Sequence, residues 1–346
     1  MSVPVVAPRE LLGPGLAPDR LDELADPLVV VDLDGPGAED PAVASAAGRS
    51  DRILVGVGTP GPLCEALDTT LVRSAGDHRH VAVGDVDAAV PALYDRARAH
   101  PLAATVLARL LRWSATLPVD AALDAESLAY STLLGGREFT AWTERRGSRP
   151  TPVDVAEPVV AARTGHLLRL TLNRPERRNA YGRQLRDALV SYLDIALLDP
   201  SVERILLDGA GASFCAGGDL DEFATTPDLV TAHLIRTRAG AARPLHRLRD
   251  RMQVHLHGAC VGAGIELPAF AGRVVAAPGT TMWLPELPMG LIPGAGGTVS
   301  ITRRIGRWRT LWLALSGVAV DADTALAWGL VDEIADVGPA APHRPG

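Results

Sequence analysis

The sequence contains no lysine, so all 34 of its basic residues other than histidine are arginine. This absence excludes Schiff-base, P-loop and kinase chemistry, each of which depends on a lysine amine. Cysteine is scarce as well, because only Cys64, Cys215 and Cys260 are present, far apart and without a CxxC pair. A disulfide framework or a structural zinc site is therefore not expected, and the predicted compartment is the reducing cytoplasm.

Long hydrophobic runs and an excess of positive charge are also missing. No apolar run approaches the roughly 20 residues that a membrane helix needs, and the N-terminal segment lacks the basic and apolar regions of a secretory signal. The 34 basic and 41 acidic residues give a net charge of −7, which argues against a nucleic-acid-binding surface. Hydrophobic residues make up 47% of the 346, enough for a sizeable core and about two domains.

Alternating strand and helix patterns predict an α/β fold with parallel pairing and right-handed crossovers. Apolar, β-branched runs predict strands at 28–33, 53–57, 167–172, 205–207 and 274–277. Helical spacing of apolar residues predicts helices at 85–100, 101–115, 119–134, 138–145, 182–198 and 234–252. The segment RRGSRPTP (145–152) is the predicted linker, because it combines charge, glycine and two prolines.

The sequence also contains a faint internal repeat. RILVGVGTPGPLCEALDTTL, which begins at Arg52, aligns with RILLDGAGASFCAGGDLDEF, which begins at Arg204. Both stretches have the order strand, glycine turn, cysteine and helix, which indicates a duplication.

Three motifs could carry chemistry. In FCAGGDL (214–220) a strand ends in a glycine-rich turn whose backbone N–H groups suit a developing oxyanion. The structural alternative is a tight turn capped by Asp219. In GACVGAGIEL (258–267) and WLPELPMGLIPGAGGT (283–298), Glu266 and Glu286 each fall among apolar residues. Such carboxylates favour a general acid/base pair, and the alternative is two buried ion pairs with arginine.

Taken together, AGGDL, a small-residue loop ending in glutamate, and PE followed by GLIPGAGGT resemble the crotonase (enoyl-CoA hydratase/isomerase) superfamily. The segment NRPERRNA (173–180) resembles that family's first strand and turn, and the resemblance covers about residues 155–337. It implies a crotonase-like ββα superhelix core. It also implies a CoA thioester as substrate, with no cofactor and no metal.

The resemblance implies specific roles for four residues. The N–H groups of Gly218 and Ala263 would polarise a thioester carbonyl and stabilise an enolate. Glu266 matches the glutamate that activates water toward the β-carbon. Glu286 matches the glutamate that delivers a proton to the α-carbon.

The resemblance also places CoA along Ala216, Asp219, Leu220 and Asp221. Arg178 and its neighbour Arg177 could contact CoA phosphates, although a solvated turn is equally compatible with them. Two histidines depart from the family pattern, since His257 takes the place of the usual asparagine and His255 lies two residues before it. We expect both to fill a strand, and the alternative is contact with the substrate.

The order of the motifs predicts an unusual domain arrangement. The helices that family members carry at the C-terminus resemble residues 85–147 here, ahead of the catalytic motifs. We therefore expect a degenerate crotonase-like region over 1–80, a helical segment and linker over 81–150, and a catalytic core over 151–346. The helices could cover the active site of their own chain or of a neighbour, and the resemblance implies a trimer or hexamer.

The leading prediction is an enoyl-CoA hydratase-like lyase. Alternatives within the family are isomerisation, acyl-CoA hydrolysis, decarboxylation and cofactor-free oxygenation of an aryl-acetyl-CoA; a non-catalytic scaffold is the alternative outside enzymes. GVGTPG (56–61) and GAGGT (294–298) resemble nucleotide-binding loops, but neither has the full pattern. No HExxH or other metal-binding pattern is present.

Overall fold

In the computed structural model, which describes residues 3–13, 26–74 and 76–341, fourteen strands form three sheets. The strands are β1 (Val5–Val6), β2 (Leu28–Asp32), β3 (Ile53–Val57), β4 (Thr69–Val72), β5 (His80–Ala82), β6 (Val159–Thr164), β7 (Leu167–Leu172), β8 (Arg204–Gly209), β9 (Met252–Leu256), β10 (Ala259–Val261), β11 (Arg273–Ala276), β12 (Thr281–Trp283), β13 (Val320–Asp321) and β14 (Glu333–Ile334). Residues 1 and 2, part of the segment in which no secretory signal was expected, lie outside the described residues.

Eleven α-helices accompany the sheets in the described part of the chain, and the predicted α/β class is confirmed. The helices are α1 (Pro41–Arg49), α2 (Val86–Ala99), α3 (Pro101–Ser114), α4 (Val119–Leu134), α5 (Arg137–Arg146), α6 (Arg183–Leu198), α7 (Leu229–Ala239), α8 (Ala242–Arg247), α9 (Ala263–Glu266), α10 (Gly297–Ser316) and α11 (Ala322–Trp328).

The first sheet has the order β1-β2-β3-β4-β5, and all its strands are parallel. Both faces of β2 are buried, which explains its continuous apolar run. Leu28 and Val30 belong to the main core, whereas Val29 and Val31 belong to a small separate cluster under α1.

The second sheet has the order β14-β11-β9-β8-β7-β6, and only the β6–β7 pair is antiparallel. In both sheets four parallel strands lie side by side in chain order: β2 to β5 in the first, and β7, β8, β9 and β11 in the second, where β10 belongs to another sheet. The proposed repeat matches β3 to β8 at equivalent places in these two runs. Descent by duplication stays a prediction, because β1 pairs in parallel with β2 whereas β6 is antiparallel to β7.

Helices α2 to α5 join the two sheets. Helix α3 packs against α10 and β3, and α4 packs against α3 and α7. The main hydrophobic core is therefore continuous from the first sheet to the second. Within this chain, α4 also packs against α10, so the N-terminal helices lie against the second half of their own chain.

The helix predicted over 234–252 is wrong in its bounds. Helix α7 begins earlier, at Leu229, and ends before Gly240, whose extended backbone breaks the helix; α8 follows as a short separate helix. Met252 begins strand β9, whose residues alternate between buried and half-buried positions. This alternation of apolar and polar residues was present in the sequence, but the basic residues before it made the strand harder to recognise.

A buried ion pair fixes the helical layer to the first sheet. Asp68, between β3 and β4, accepts hydrogen bonds from Arg112 Nε–H at 2.7 Å and from the backbone N–H of Leu54 at 2.8 Å. Arg112, on α3, also donates to the backbone carbonyl oxygen of Arg52 at 3.0 Å. The Asp68 carboxylate is only 1% exposed. Removing either charge of the pair would therefore leave the other buried without a partner, which is costly in free energy.

We predict that Asp68→Asn lowers the free energy of unfolding by about 3 kcal/mol, because it leaves the Arg112 guanidinium buried without a counter-charge. Urea unfolding followed by circular dichroism measures the change. The matched control is Asp250→Asn, at a side chain that is 94% exposed, and we expect a change below about 0.5 kcal/mol. Equal effects of the two substitutions would contradict this role of the pair.

Candidate active site

Four chain segments meet around one cavity of about 690 Å³. They are the loop after β8, the segment from β10 into α9, the segment after β12, and the loop that leads into α10. Gly218, Ala263, Glu266 and Glu286, the four residues predicted to be catalytic, all line this cavity. The structure therefore brings together residues from three separate motifs.

The N–H groups of Gly218 and Ala263 are both available. Ala263 is the first residue of α9, so its N–H has no partner within the helix. Within residues 3–13, 26–74 and 76–341, no group accepts a hydrogen bond from either N–H. The two segments are held together by the Val261 N–H, which donates to the Cys215 carbonyl oxygen at 3.0 Å. Two unbonded donors on adjacent segments of a cavity wall can bind one oxyanion.

Glu266 is held at the N-terminus of α10. Its Oε2 accepts hydrogen bonds from the N–H groups of Ala295 at 2.8 Å and Gly297 at 2.9 Å. Glycine is required at position 297, because a Cβ there would lie 2.6 Å from the Cγ of Glu266. Oε2 is therefore fixed to the backbone, and the second oxygen of the carboxylate makes no hydrogen bond with a described residue.

A third buried glutamate, Glu126, binds the same loop from the N-terminal helix α4. It accepts hydrogen bonds from the N–H of Gly296 at 2.7 Å, the N–H of Thr298 at 3.0 Å and the hydroxyl of Thr298 at 2.7 Å. The four consecutive N–H groups from 295 to 298 thus alternate between Glu266 and Glu126. Those of 296 to 298 are donors that the start of a helix leaves unsatisfied, and that of Ala295 lies just before them.

Sequence analysis missed Glu126, although a signal for it exists. On α4 it shares a helix face with Leu123, Tyr130 and Leu134, at spacings of three, four and four residues. A carboxylate on the apolar face of a helix meets the same criterion that singled out Glu266 and Glu286. Tyr130 of this helix and Arg236 of α7 also line the cavity and were likewise not identified.

Glu286 has a different environment. It follows β12, is 8% exposed, and its Oε2 is buried without a hydrogen-bond partner among the described residues. The other oxygen lies against Gly262, where a Cβ would come within 2.5 Å of Oε1. Its own backbone N–H is the group in this setting that favours a negative charge on Glu286, and burial outweighs it.

Burial raises the pKa of all three glutamates. The pKa of Glu286 lies well above its usual range, because of burial and the negative charge of Glu266. The pKa of Glu266 is raised by burial but pulled back by its two backbone N–H donors. Glu266 is therefore the carboxylate that ionises more readily and Glu286 the one that keeps its proton. Within the described residues neither makes an ion pair with arginine, which excludes the structural alternative there.

The residues expected to bind CoA fall into two groups. Ala216, Leu220 and the exposed Arg178 line the cavity, so their predicted role stays open to test. Asp219 also belongs to the wall, but its carboxylate binds Arg177 at 2.6 and 3.0 Å and accepts from the N–H of Asp221 at 3.2 Å. Asp219 therefore acts as the cap that the alternative described.

The remaining expectations concern residues away from the cavity. Asp221 forms ion pairs with Arg146 and Arg177. His257 is buried and its Nε2 lies 2.9 Å from the Gly211 carbonyl oxygen, while His255 belongs to β9. Among the cavity-lining residues neither histidine appears. The expected strand position is confirmed for the half-buried His255, whereas His257 lies just after the strand.

In GVGTPG the N–H of Thr59 donates to the Asp34 carboxylate at 3.0 Å. The carboxylate of Asp34 thus already accepts the hydrogen bond that this backbone N–H of the turn can donate. Across the described ranges no cluster of three or more potential metal ligands occurs, and no helix there is both long and apolar enough to cross a bilayer.

Comparison with known proteins gives matches over this same part of the chain. The sequence profile of the family described as Enoyl-CoA hydratase/isomerase matches residues 163–338. The 2,3-dehydroadipyl-CoA hydratase of Escherichia coli K12 is 34% identical over 176 residues, which are 51% of this chain and 68% of that protein. The 1,2-epoxyphenylacetyl-CoA isomerase of the same organism is 34% identical over 175 residues, 49% of this chain and 66% of that protein.

Solved structures give the same picture of coverage. The crystal structure of an enoyl-CoA hydratase/isomerase from Mycobacterium paratuberculosis has 28% sequence identity and a TM-score of 0.49, over 53% of this chain and 75% of that chain. The matched relatives are thus covered over about two thirds to three quarters of their length. Since the family profile covers half of the chain and the geometry of the motifs agrees with it, the chain belongs to the enoyl-CoA hydratase/isomerase (crotonase) family.

Proposed function

We propose that this protein hydrates a 2-enoyl-CoA thioester. The observation that carries the proposal is a pair of buried carboxylates, Glu266 and Glu286, in one cavity with two unbonded backbone N–H groups; both pKa values are raised, but that of Glu266 is held lower by two backbone donors. Carboxylates whose environments push their pKa values apart are suited to act as base and acid in one reaction.

The proposed steps follow from these positions. The thioester oxygen would accept hydrogen bonds from the N–H groups of Gly218 and Ala263, which draws electrons from the conjugated double bond. Glu266 would take a proton from water as the water oxygen bonds to the β-carbon. Glu286 would give its proton to the α-carbon as the enolate returns to the thioester. One water is consumed and the carbon–carbon double bond becomes single.

Glu126 supports this reaction indirectly. It accepts hydrogen bonds from the two N–H groups of segment 295–298 that do not bind Glu266. The two carboxylates together therefore fix the backbone conformation of this segment. Fixing the segment fixes Oε2 of Glu266, and an oriented base loses little entropy at the transition state. In this proposal Glu126 is a positioning residue.

The relatives support a CoA thioester as the substrate class, since both relatives described above carry CoA esters in their names. Arg178, exposed at the cavity, is the candidate for a CoA phosphate. One relative is a hydratase and the other an isomerase, so the identity of the reaction rests on the two glutamates. A double-bond shift needs one group that moves a proton between two carbons, whereas hydration needs a second group for water.

We predict that Glu266→Gln and Glu286→Gln each lower kcat for hydration of crotonyl-CoA or a longer 2-enoyl-CoA by at least about a hundredfold, because each removes a proton-transferring group. Loss of the enoyl-thioester absorbance measures the rate. The matched control is Glu144→Gln, at an exposed residue of α5, which should keep the wild-type rate.

Two outcomes would contradict the hydratase proposal. The first is near-normal hydration by both variants. The second is a wild-type protein that moves the double bond of a 3-enoyl-CoA without hydrating a 2-enoyl-CoA, with only Glu286 required. That result would make the protein an isomerase.

The raised pKa of Glu286 predicts a stability change with pH. The protonated acid is favoured in the folded state, so its contribution is full below the unfolded-state pKa of 4.5 and is lost as pH rises through the folded-state pKa. We therefore expect the unfolding free energy of the wild type to fall, relative to that of Glu286→Gln, as the pH rises above 4.5 and Glu286 of the folded protein ionises. Urea unfolding across this range measures it, with Glu144→Gln as the control that should follow the wild type. Parallel curves for wild type and Glu286→Gln would show that Glu286 ionises normally.

A further inference from the structure

Arg236 of α7 is an unusual member of the cavity wall. Its Nε–H donates to the Ser127 hydroxyl oxygen and its Nη2–H to the Ser127 carbonyl oxygen, both at 3.1 Å, and Nη2 also contacts the Ser131 hydroxyl. All of these partners are neutral. Nη1 donates to no described residue, and within the described ranges the guanidinium forms no ion pair. It is half-buried, so solvent only partly compensates its charge.

The other arginines of the wall have carboxylate partners or lie at the surface. Those with partners are Arg146 with Asp221, Arg183 with Asp154, Arg186 with Asp187, and Arg243 with Asp120 and Asp124. Arg178 has no ion pair in the described part of the chain, but it is exposed. Arg236 is thus the half-buried cation of this wall that lacks an anion. Burying an uncompensated charge is costly, which favours an anionic ligand beside it.

Tyr130 places Arg236 close to the proton-transferring groups. The guanidinium carbon lies 4.8 Å from the centre of the Tyr130 ring, in a cation–π contact. Gly294 packs against the same ring, so closely that a Cβ at position 294 would overlap it. The next residue, Ala295, donates its backbone N–H to Glu266. The Tyr130 hydroxyl has no hydrogen-bond partner among the described residues, so the wall offers a second donor next to the cation.

The negative charge of Glu126 acts on Arg236 from a distance, but none of the three buried glutamates forms an ion pair with it. Both oxygens of Glu126 are occupied by the 296 and 298 backbone and the Thr298 hydroxyl, and no contact between Glu126 and Arg236 within ion-pair distance exists. Neither Glu266 nor Glu286 pairs with Arg236 either. The free Nη1 therefore remains available to a group that enters the cavity.

We propose that the acyl group of the substrate ends in a carboxylate, which pairs with Arg236 and accepts a hydrogen bond from the Tyr130 hydroxyl. This rests on the proposed function, because it assumes that an acyl-CoA thioester occupies the cavity. The protein would then select acyl-CoA esters of dicarboxylic acids over esters of unbranched monocarboxylic acids. Arg236 is a specificity-determining residue in this account, and the reaction itself does not need it.

Binding of saturated ligands tests this without relying on turnover. We compare adipyl-CoA with its methyl ester, in which the terminal carboxylate is neutral, by calorimetric titration of the full chain. The wild type should bind the acid at least about tenfold more tightly than the ester, as expected for a hydrogen-bonded charge pair. Arg236→Gln, which keeps an amide donor for the serines, should abolish this preference, and Arg236→Lys should keep part of it.

The matched control is Arg238→Gln, at an exposed arginine of the same helix, which should retain the full preference. Thermal melts establish that each variant is folded. Equal affinity of the wild type for acid and ester, or no detectable binding of either, overturns the proposal without any variant. Undiminished preference in Arg236→Gln overturns the assignment to Arg236. Because hydration is assayed separately with an uncharged 2-enoyl-CoA, failure of this proposal and failure of the hydratase proposal give different results.

Discussion

The site depends on how four consecutive backbone N–H groups at the start of α10 are satisfied. Two go to Glu266 and two to Glu126, in alternation. Helix starts always leave such donors unpaired, and in an interior they must find acceptors. Here the acceptors come from two parts of the chain about 140 residues apart. One set of hydrogen bonds therefore fixes the catalytic loop, the proposed base and the N-terminal helical layer together.

The same arrangement separates the two proposed chemical roles. Glu266 shares the positive end of α10 and so can carry a negative charge in a buried place. For Glu286, burial and the charge on Glu266 outweigh a hydrogen bond from its own backbone N–H, so its pKa is raised and it holds its proton. The central claim is that this difference, beside the unbonded N–H groups of Gly218 and Ala263, lets the cavity form and quench an enolate. Helices α4 and α5 complete the wall on which Arg236 and Tyr130 meet.

Local patterns predicted much of the structure, and long-range pairing explains the rest. The strands at β2, β3 and β7 and the helices α2 to α5 follow from apolar periodicity, and three motifs identified Gly218, Ala263, Glu266 and Glu286. The break at Gly240 was missed because helix-forming residues continue on both sides of it. Glu126 and Arg236 were missed because their partners lie far along the chain. The burial that makes each of them informative exists only after α4, α7 and α10 have packed together.

The most direct test of the central claim is exchange of the α-protons of a saturated ester, butyryl-CoA, in D₂O. This exchange needs the enolate and the ionised form of Glu286, which takes an α-proton and returns a deuteron, so it is measured at a pH where part of Glu286 is ionised. Mass spectrometry detects deuterium at the α-carbon. The account predicts exchange at least about a hundredfold faster with the protein than in buffer, the size expected of positioned acid–base groups. Exchange no faster than in buffer, at saturating butyryl-CoA, would show that the cavity does not stabilise an enolate and would contradict the account.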